Sequence, residues 1–460
     1  MPSHIVDGAA FRVRRALSEL SDWGLKQRIQ WLRWLDHLIV NHKDQILAAV
    51  VADKKVSEHQ VLLNEYAVIR MLNSYYIKNA YRILKDENRS SIFSLLWPNK
   101  KSVVVKEPFG VVGIISPANY PFSLSLGSMI PAILAGNAVM LKPAPGSEKT
   151  CEVIKELLDL SLNLHGASKI VEILPSVECF GHDLVRNQLV DKIHFTGSVS
   201  SGWWVHQENS KIRLAPVTLE LGGSNAALVL EDADVDLAAK VIAWARFCGM
   251  SCNNIKRVFV VAAVYEKFLE AIEKEVRDLR EHEFERVSEK EACRYVAFLA
   301  DYHQHLEKKL EGDCGYDFQP KILRIDDPSP NIRVLKEETF VPLLPVVKVQ
   351  DVEDAVSWAN HSKFGLGVSI FTKNRKLFRS LAKRIDCGGV FHNDAMTEFA
   401  QPQIPFGGRK NSGSGYIHGP EGLLEFVQLK VIMEERWEFF RFNLYPWTAR
   451  KMSWLRKFLR

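Results

Sequence analysis

Nowhere in the 460 residues is there an apolar run of roughly 18, the length that would carry a helix across a bilayer. The opening stretch MPSHIVDGAAFRVRR also lacks the apolar centre of a secretory signal. Paired cysteines are missing. Seven cysteines lie scattered at 151, 179, 248, 252, 293, 314 and 387, without a Cys-x-x-Cys or a Cys/His cluster. An odd, dispersed set argues against a disulfide framework or a zinc centre, so no metal is expected and a reducing, cytoplasmic setting is. A strong charge of one sign is lacking too: 60 basic against 55 acidic residues leave +5, too little at this size to argue for nucleic acid. No internal repeat or flexible linker occurs. With 47% apolar and 25% charged residues, disorder and fibrous architectures are excluded, and the length suits about two to four packed domains.

What is present is an order of textures. Residues 8–85 read as helices, with Leu17, Leu20, Leu25, Ile29, Leu32, Leu35, Leu38 and Ile39 near three- and four-residue spacing. Around 86–107 turn-rich stretches surround short β-branched runs and predict a hairpin. From residue 110 apolar runs alternate with helical material. The runs lie at 111–115, 138–142, 170–174, 191–195, 218–221 and 226–230, and strands this apolar are buried on both faces. Such alternation predicts a doubly wound parallel sheet. It restarts after 254, with runs at 257–261, 343–349 and 367–371, and predicts a second α/β domain. The charged stretch 275–312 reads as surface helix.

Ligands of an open parallel sheet bind beyond the carboxyl ends of its strands. Asn119 follows one such strand and Lys142 ends another. Phe195-Thr196-Gly197-Ser198 with Gly202 follows a third, where two glycines could lead into a helix whose free N–H groups face a pyrophosphate. Alone that spacing is a weak signal, and it is not the Gly-x-Gly-x-x-Gly fingerprint. Glu220, between Leu219 and Leu221, ends another strand. A poorly hydrated carboxylate there has a pKa raised toward that of a general base, although a strand-end Glu paired with Lys is the plainer alternative. Cys252 sits among small and polar neighbours in Gly249-Met250-Ser251-Cys252-Asn253-Asn254, where a thiol is reachable. Taken singly, a structural cysteine is the commoner occupant of such a place. Cys248, beside Trp244 and Phe247, reads as core.

The set as a whole resembles the aldehyde dehydrogenase superfamily, and most closely its class 3-like, fatty aldehyde-type branch. The resemblance runs through Glu107-Pro108-Phe109-Gly110, Asn119-Tyr120-Pro121, Leu141-Lys142-Pro143-Ala144, Phe195-Thr196-Gly197-Ser198, Glu220-Leu221-Gly222-Gly223, Cys252, Glu337-Glu338-Thr339-Phe340 and Pro405-Phe406-Gly407-Gly408. It implies an α/β fold with a Rossmann-type cofactor domain (1–85 and 107–221), a second α/β catalytic domain (222–417) and a small bridging β element (86–106 and 418–435). The implied reaction is NAD(P)-dependent oxidation of an aliphatic or aromatic aldehyde to a carboxylic acid. Cys252 would attack the aldehyde to give a thiohemiacetal and then a thioester, Asn119 would bind the oxyanion, and Glu220 would activate the hydrolysing water. Lys142, Gly197, Ser198, Gly202, Glu338 and Phe340 would hold NAD or NADP.

The chain departs from the family pattern near the thiol. Met250 replaces the usual Gln, Phe247 stands where an Asn is common, and the interval from Glu220 to Cys252 is shorter than usual. A catalytically weak member with a binding or structural role is therefore an alternative, and a CoA-acylating enzyme is another, against which Glu220 argues. Pro145 occupies the place of a ribose-binding Glu, which leaves NADP admissible. The resemblance implies a homodimer built through the bridging element. The tail at 436–460 holds eight aromatic and seven basic residues against one acid, a composition suited to peripheral membrane contact or to packing on a partner.

Overall fold

The helices predicted before residue 85 form because their apolar residues recur on one face. Pro2–Ser21, Leu25–Asn41, Lys43–Lys54 and Ala67–Leu84 bury Val13, Leu32, Leu35, Ile39, Val50 and Leu72 against the first sheet and its helices. A computed structural model describes residues 2–89, 97–167, 169–212, 214–279, 289–306, 320–438, 446 and 448–458.

The first sheet has six strands in the order Gly413–Ser414, Val217–Leu221, Lys192–Gly197, Val111–Ile115, Ala138–Lys142, Val171–Ile173. The last five are mutually parallel, and Gly413–Ser414 runs antiparallel to Val217–Leu221. From Val111–Ile115 the chain fills one side and then returns to fill the other. The order therefore reverses between Val111–Ile115 and Lys192–Gly197, which opens a crevice beyond their carboxyl ends.

Six parallel strands make the second sheet: Lys321–Ile325, Leu343–Val349, Ile255–Val261, Asn225–Val229, Gly367–Phe371 and Gly389–His392. Ile255–Val261 and Gly367–Phe371 are buried along their whole length, as continuous apolar runs require. Helices cover both faces and divide the interior into two clusters, one around Phe259 and Leu323, the other around Phe268 and Val258.

Two expectations change on inspection. The stretch 275–312 is not a purely surface helix: within Glu289–Leu306, Tyr295, Phe298 and Tyr302 are buried in the core of the second sheet. Charge dominates the composition there and conceals an aromatic stripe at helical spacing. Residues 280–288 and 307–312 of that stretch lie outside the described residues. The hairpin expected at 86–107 is only a short one, since Glu87–Asn88 pairs with Val103 and Val104. Lys100–Pro108 makes its full ladder with Val427–Glu435, more than 300 residues away, a partner that no local turn signal could announce. Residues 90–96 lie outside the described part.

Asn137 joins three elements. Fully buried, it accepts from the Gly110 N–H at 3.0 Å and donates to the Ala132 and Phe426 carbonyls at 3.0 and 2.8 Å. Asn137→Ala strands these backbone groups away from water and should cost about 3 kcal/mol in urea unfolding. A loss below about 1 kcal/mol would show that the joint is dispensable.

Candidate active site

Only Gly222, Gly223 and Ser224 lie between the end of Val217–Leu221 and the start of Asn225–Val229, so the carboxyl end of the first sheet abuts the amino end of the second. Neither glycine has room for a side chain. A Cβ on Gly222 would overlap the Glu338 carboxylate, and one on Gly223 would lie 2.8 Å from the Cys252 carbonyl oxygen. This crossing brings Glu220, Cys252 and Glu338 together although they are far apart in sequence.

Cys252 lies in the loop between the helix Val235–Phe247 and the strand Ile255–Val261. Gly249 begins the loop at a φ of 128°, a backbone that L side chains avoid. Asparagine side chains then hold its shape. Asn254 donates to the Gly249 carbonyl at 2.7 Å and accepts from the Ser251 N–H at 3.0 Å. The Asn253 amide donates to Glu398 at 2.7 Å, and Asn225 donates to the Asn253 carbonyl at 2.9 Å. Arg246, fully buried, donates to the carbonyls of Leu343 at 2.9 Å and Thr339 at 3.2 Å, and so ties the helix before the thiol to the segment carrying Glu338 and Phe340.

Cys252 is half-buried and, like Phe399, packs against the cluster of Leu366, Phe406 and Ile417. Burial pushes its thiol up to about 12; Lys256 and the Ser251 hydroxyl oppose that shift, while Glu338 and Glu220 reinforce it. Cys248, read as core, is in fact half-buried at the helix end. Phe247 lies in the core of the second sheet.

Glu220 is buried, and neither carboxylate oxygen has a hydrogen-bond partner among the described residues. Burial, reinforced by the nearby Glu425, raises its pKa well above the usual carboxyl range. Asn119 Nδ2 donates to the Met250 carbonyl at 3.3 Å, which places that amide against the loop that carries Cys252. Glu338 accepts from the Gly223 N–H at 2.9 Å and from Lys256 at 3.0 Å, and the Phe340 ring centre lies 4.6 Å from the same ammonium.

A cleft of about 540 Å³ opens at the crevice of the first sheet. Ile115, Lys142, Phe195, Gly197, Ser198 and Trp204 are among its walls. Its size and its donors suit a dinucleotide. Lys142 is buried with its charged ammonium disfavoured by desolvation, and its alkyl stem runs beside Gly181. Ser198 immediately precedes the helix Val199–Ile212, whose free N–H groups suit phosphate oxygens. Gly202 does not line this cleft. It lies inside that helix, and its missing side chain makes room for Leu221.

Sequence reasoning passed over Lys256, Arg246, Asn253, Gly181 and His182. The His182 and Trp204 rings stand 4.3 Å apart at the cleft. Composition could not single them out; only Asn253, beside the thiol, lay within a motif already in view.

Because the folded state holds Glu220 protonated to a higher pH than the unfolded chain does, its contribution to stability is present below the unfolded pKa and is lost as pH rises. Glu220→Gln removes that penalty. Its melting temperature should exceed the parent's by a few degrees at pH 8 and by much less at pH 5. Equal gains at both values would show that the buried carboxyl does not titrate as its surroundings require.

The family model for the aldehyde dehydrogenase family matches residues 3–432. The chain is 30% identical over 462 residues to aldehyde dehydrogenase family 3 member A2 of Mus musculus, covering 97% of this chain and 93% of that protein. It is 32% identical over 423 residues to 4,4'-diapolycopene aldehyde oxidase of Methylomonas sp, covering 90% and 78%. Among solved structures, the Mycobacterium tuberculosis aldehyde dehydrogenase complexed with NAD+ superposes with a TM-score of 0.84 at 26% identity, covering 94% of this chain and 90% of that one. With nearly its whole length matched, the chain belongs to the aldehyde dehydrogenase family and is an enzyme of that family.

Proposed function

We propose that this protein oxidises an aliphatic or aromatic aldehyde to its carboxylic acid through covalent catalysis at Cys252. The convergence of Cys252, Glu220 and Asn119 at the junction of the two sheets carries the reading. The Cys252 thiol gives up its proton to solvent, the thiolate sulfur bonds to the carbonyl carbon, and the carbonyl π electrons move to oxygen to give a thiohemiacetal oxyanion. The Asn119 amide and the Cys252 backbone N–H stabilise that oxyanion, donors of a kind typically worth about 3 kcal/mol each. Nicotinamide supplies the hydride acceptor when NAD or NADP is bound. Collapse of the oxyanion then leaves a thioester on Cys252. Glu220 takes a proton from water, which attacks the thioester and frees the acid and the thiol. Phe399, Phe406, Leu366 and Ile417 beside the thiol offer an apolar wall for the body of the aldehyde.

Lys142, Gly197 and Ser198 hold the adenosine and phosphate end of the cofactor, and Glu338 and Phe340 its nicotinamide ribose. The cofactor domain comprises 1–85 and 107–221 and the catalytic domain 222–417, with 86–106 and 418–435 as bridging element. That element makes the dimer: Leu429, Val431 and Met433 on the strand Val427–Glu435 are each more than 60% exposed, more apolar surface than a lone edge strand ordinarily shows. The protein works in the cytoplasm, which fits the free state of the cysteines among the described residues. Its basic, aromatic tail, including the helix Ala449–Phe458, suits either packing on a partner subunit or contact with anionic membrane surfaces; no helix among the described residues is long and apolar enough to cross a membrane. A second reading, a weakly active enzyme with a binding role, draws on the engagement of the Asn119 amide by the Met250 carbonyl. CoA acylation remains disfavoured, since it has no need of Glu220.

NAD(P)H production across aldehydes of different chain length separates active from weak. Cys252→Ala should fall below about 0.1% of parent activity while still binding cofactor; retained oxidation would remove the thiol from the mechanism. Glu220→Gln should accumulate an acyl-enzyme visible as added mass on the Cys252 peptide. The parent's deacylation should quicken as pH rises and Glu220 loses its proton, and the variant should lose that limb. A deacylation rate equal to the parent's would assign the base elsewhere.

A further inference from the structure

Lys256 stands on the strand Ile255–Val261, four residues beyond Cys252, and its side chain is 1% exposed. Its Nζ donates to three oxygens: the Gly223 carbonyl at 2.7 Å, the Cys252 carbonyl at 2.9 Å and Glu338 Oε1 at 3.0 Å. Three donated bonds need three hydrogens, which the ammonium has and the neutral amine lacks. The Phe340 ring, its centre 4.6 Å away, presents a negative face to the same charge. Glu338 Oε1 receives a second donor from the Gly223 N–H at 2.9 Å.

Burying an ammonium is costly, and an apolar side chain would fill this position at less cost. None of the steps proposed above uses the charge. Yet the groups facing Cys252 are Glu338 and Glu220, which oppose a thiolate, the Ser251 hydroxyl and Lys256, which favour it. Lys256 in turn faces Glu338 and Cys252, with Arg246 repelling it. Among the described residues, Lys256 is the cation with the largest effect on the thiol.

We propose that Lys256 is a positioning residue whose ammonium provides the positive field that makes a buried Cys252 thiolate attainable, while its three hydrogen bonds clamp the base's segment and the nucleophile's loop to Glu338. The proposal rests on the reading of Cys252 as nucleophile. It assigns opposite effects to the two members of the ion pair: loss of Lys256 disfavours the thiolate, and loss of the Glu338 charge favours it.

The test is the rate at which neutral iodoacetamide alkylates Cys252 in the full chain, followed by mass spectrometry of the peptide that carries it, across pH. Below the thiol's midpoint, rate follows thiolate fraction, and a shift of about one unit changes it tenfold. Lys256→Met should react about tenfold more slowly at about pH 8.5, Lys256→Arg should stay within about threefold of the parent, and Glu338→Gln should react at least about threefold faster. A merely structural role gives the opposite sign for Lys256→Met, because a loosened loop exposes the thiol and speeds its alkylation. A rate for Lys256→Met equal to or above the parent's overturns the proposal. Should that variant fail to fold by circular dichroism, Glu338→Gln decides, and no acceleration there overturns the proposal. Failure of the nucleophile assignment shows itself separately, as retained oxidation in Cys252→Ala.

Discussion

Three residues separate two sheets, and the site follows from that shortage of chain. Because Gly222, Gly223 and Ser224 alone join Val217–Leu221 to Asn225–Val229, the last residues of one sheet are pressed against the first residues of the other. A side chain at either glycine would collide with Glu338 or with the Cys252 backbone. The compression keeps water away from Glu220 and the thiol, and desolvation of both follows. A longer connection would let the lobes part and rehydrate the two groups.

Compression also crowds carbonyl oxygens, and buried cations answer it. Arg246 takes the carbonyls of Thr339 and Leu343, Arg257 takes that of Ser224 at 2.7 Å, and Lys256 takes those of Gly223 and Cys252. Desolvation lowers the pKa of all three cations. A guanidinium spreads its charge over a planar fork, which lets Arg246 serve the carbonyls of Leu343 and Thr339 and Arg257 grip that of Ser224 with two N–H groups. Next to the thiol stands the compact ammonium, a point charge.

Much of this was legible in the sequence. The continuous apolar runs at 111–115, 138–142, 257–261 and 367–371 could be buried only on both faces, and they became central strands. Cys252, Glu220 and Asn119 stood out through the family motifs around them, and the structure places their segments side by side. What escaped notice depends on long-range geometry. Lys256 reads as an ordinary strand residue, since nothing local shows that Gly223 and Glu338 surround it. Gly202 looked like a phosphate turn because its spacing from Gly197 suited one, whereas its space is taken by Leu221. The aromatic stripe of Glu289–Leu306 was masked by the charges around it.

The short strand Gly413–Ser414 returns from late in the chain to pair with Leu219 and Glu220. During synthesis, the sheet that holds the crevice therefore lacks its outer strand until about 200 residues beyond Glu220 have been made. A nascent chain can bury its early helices before then, but the segment bearing Glu220 keeps an open flank.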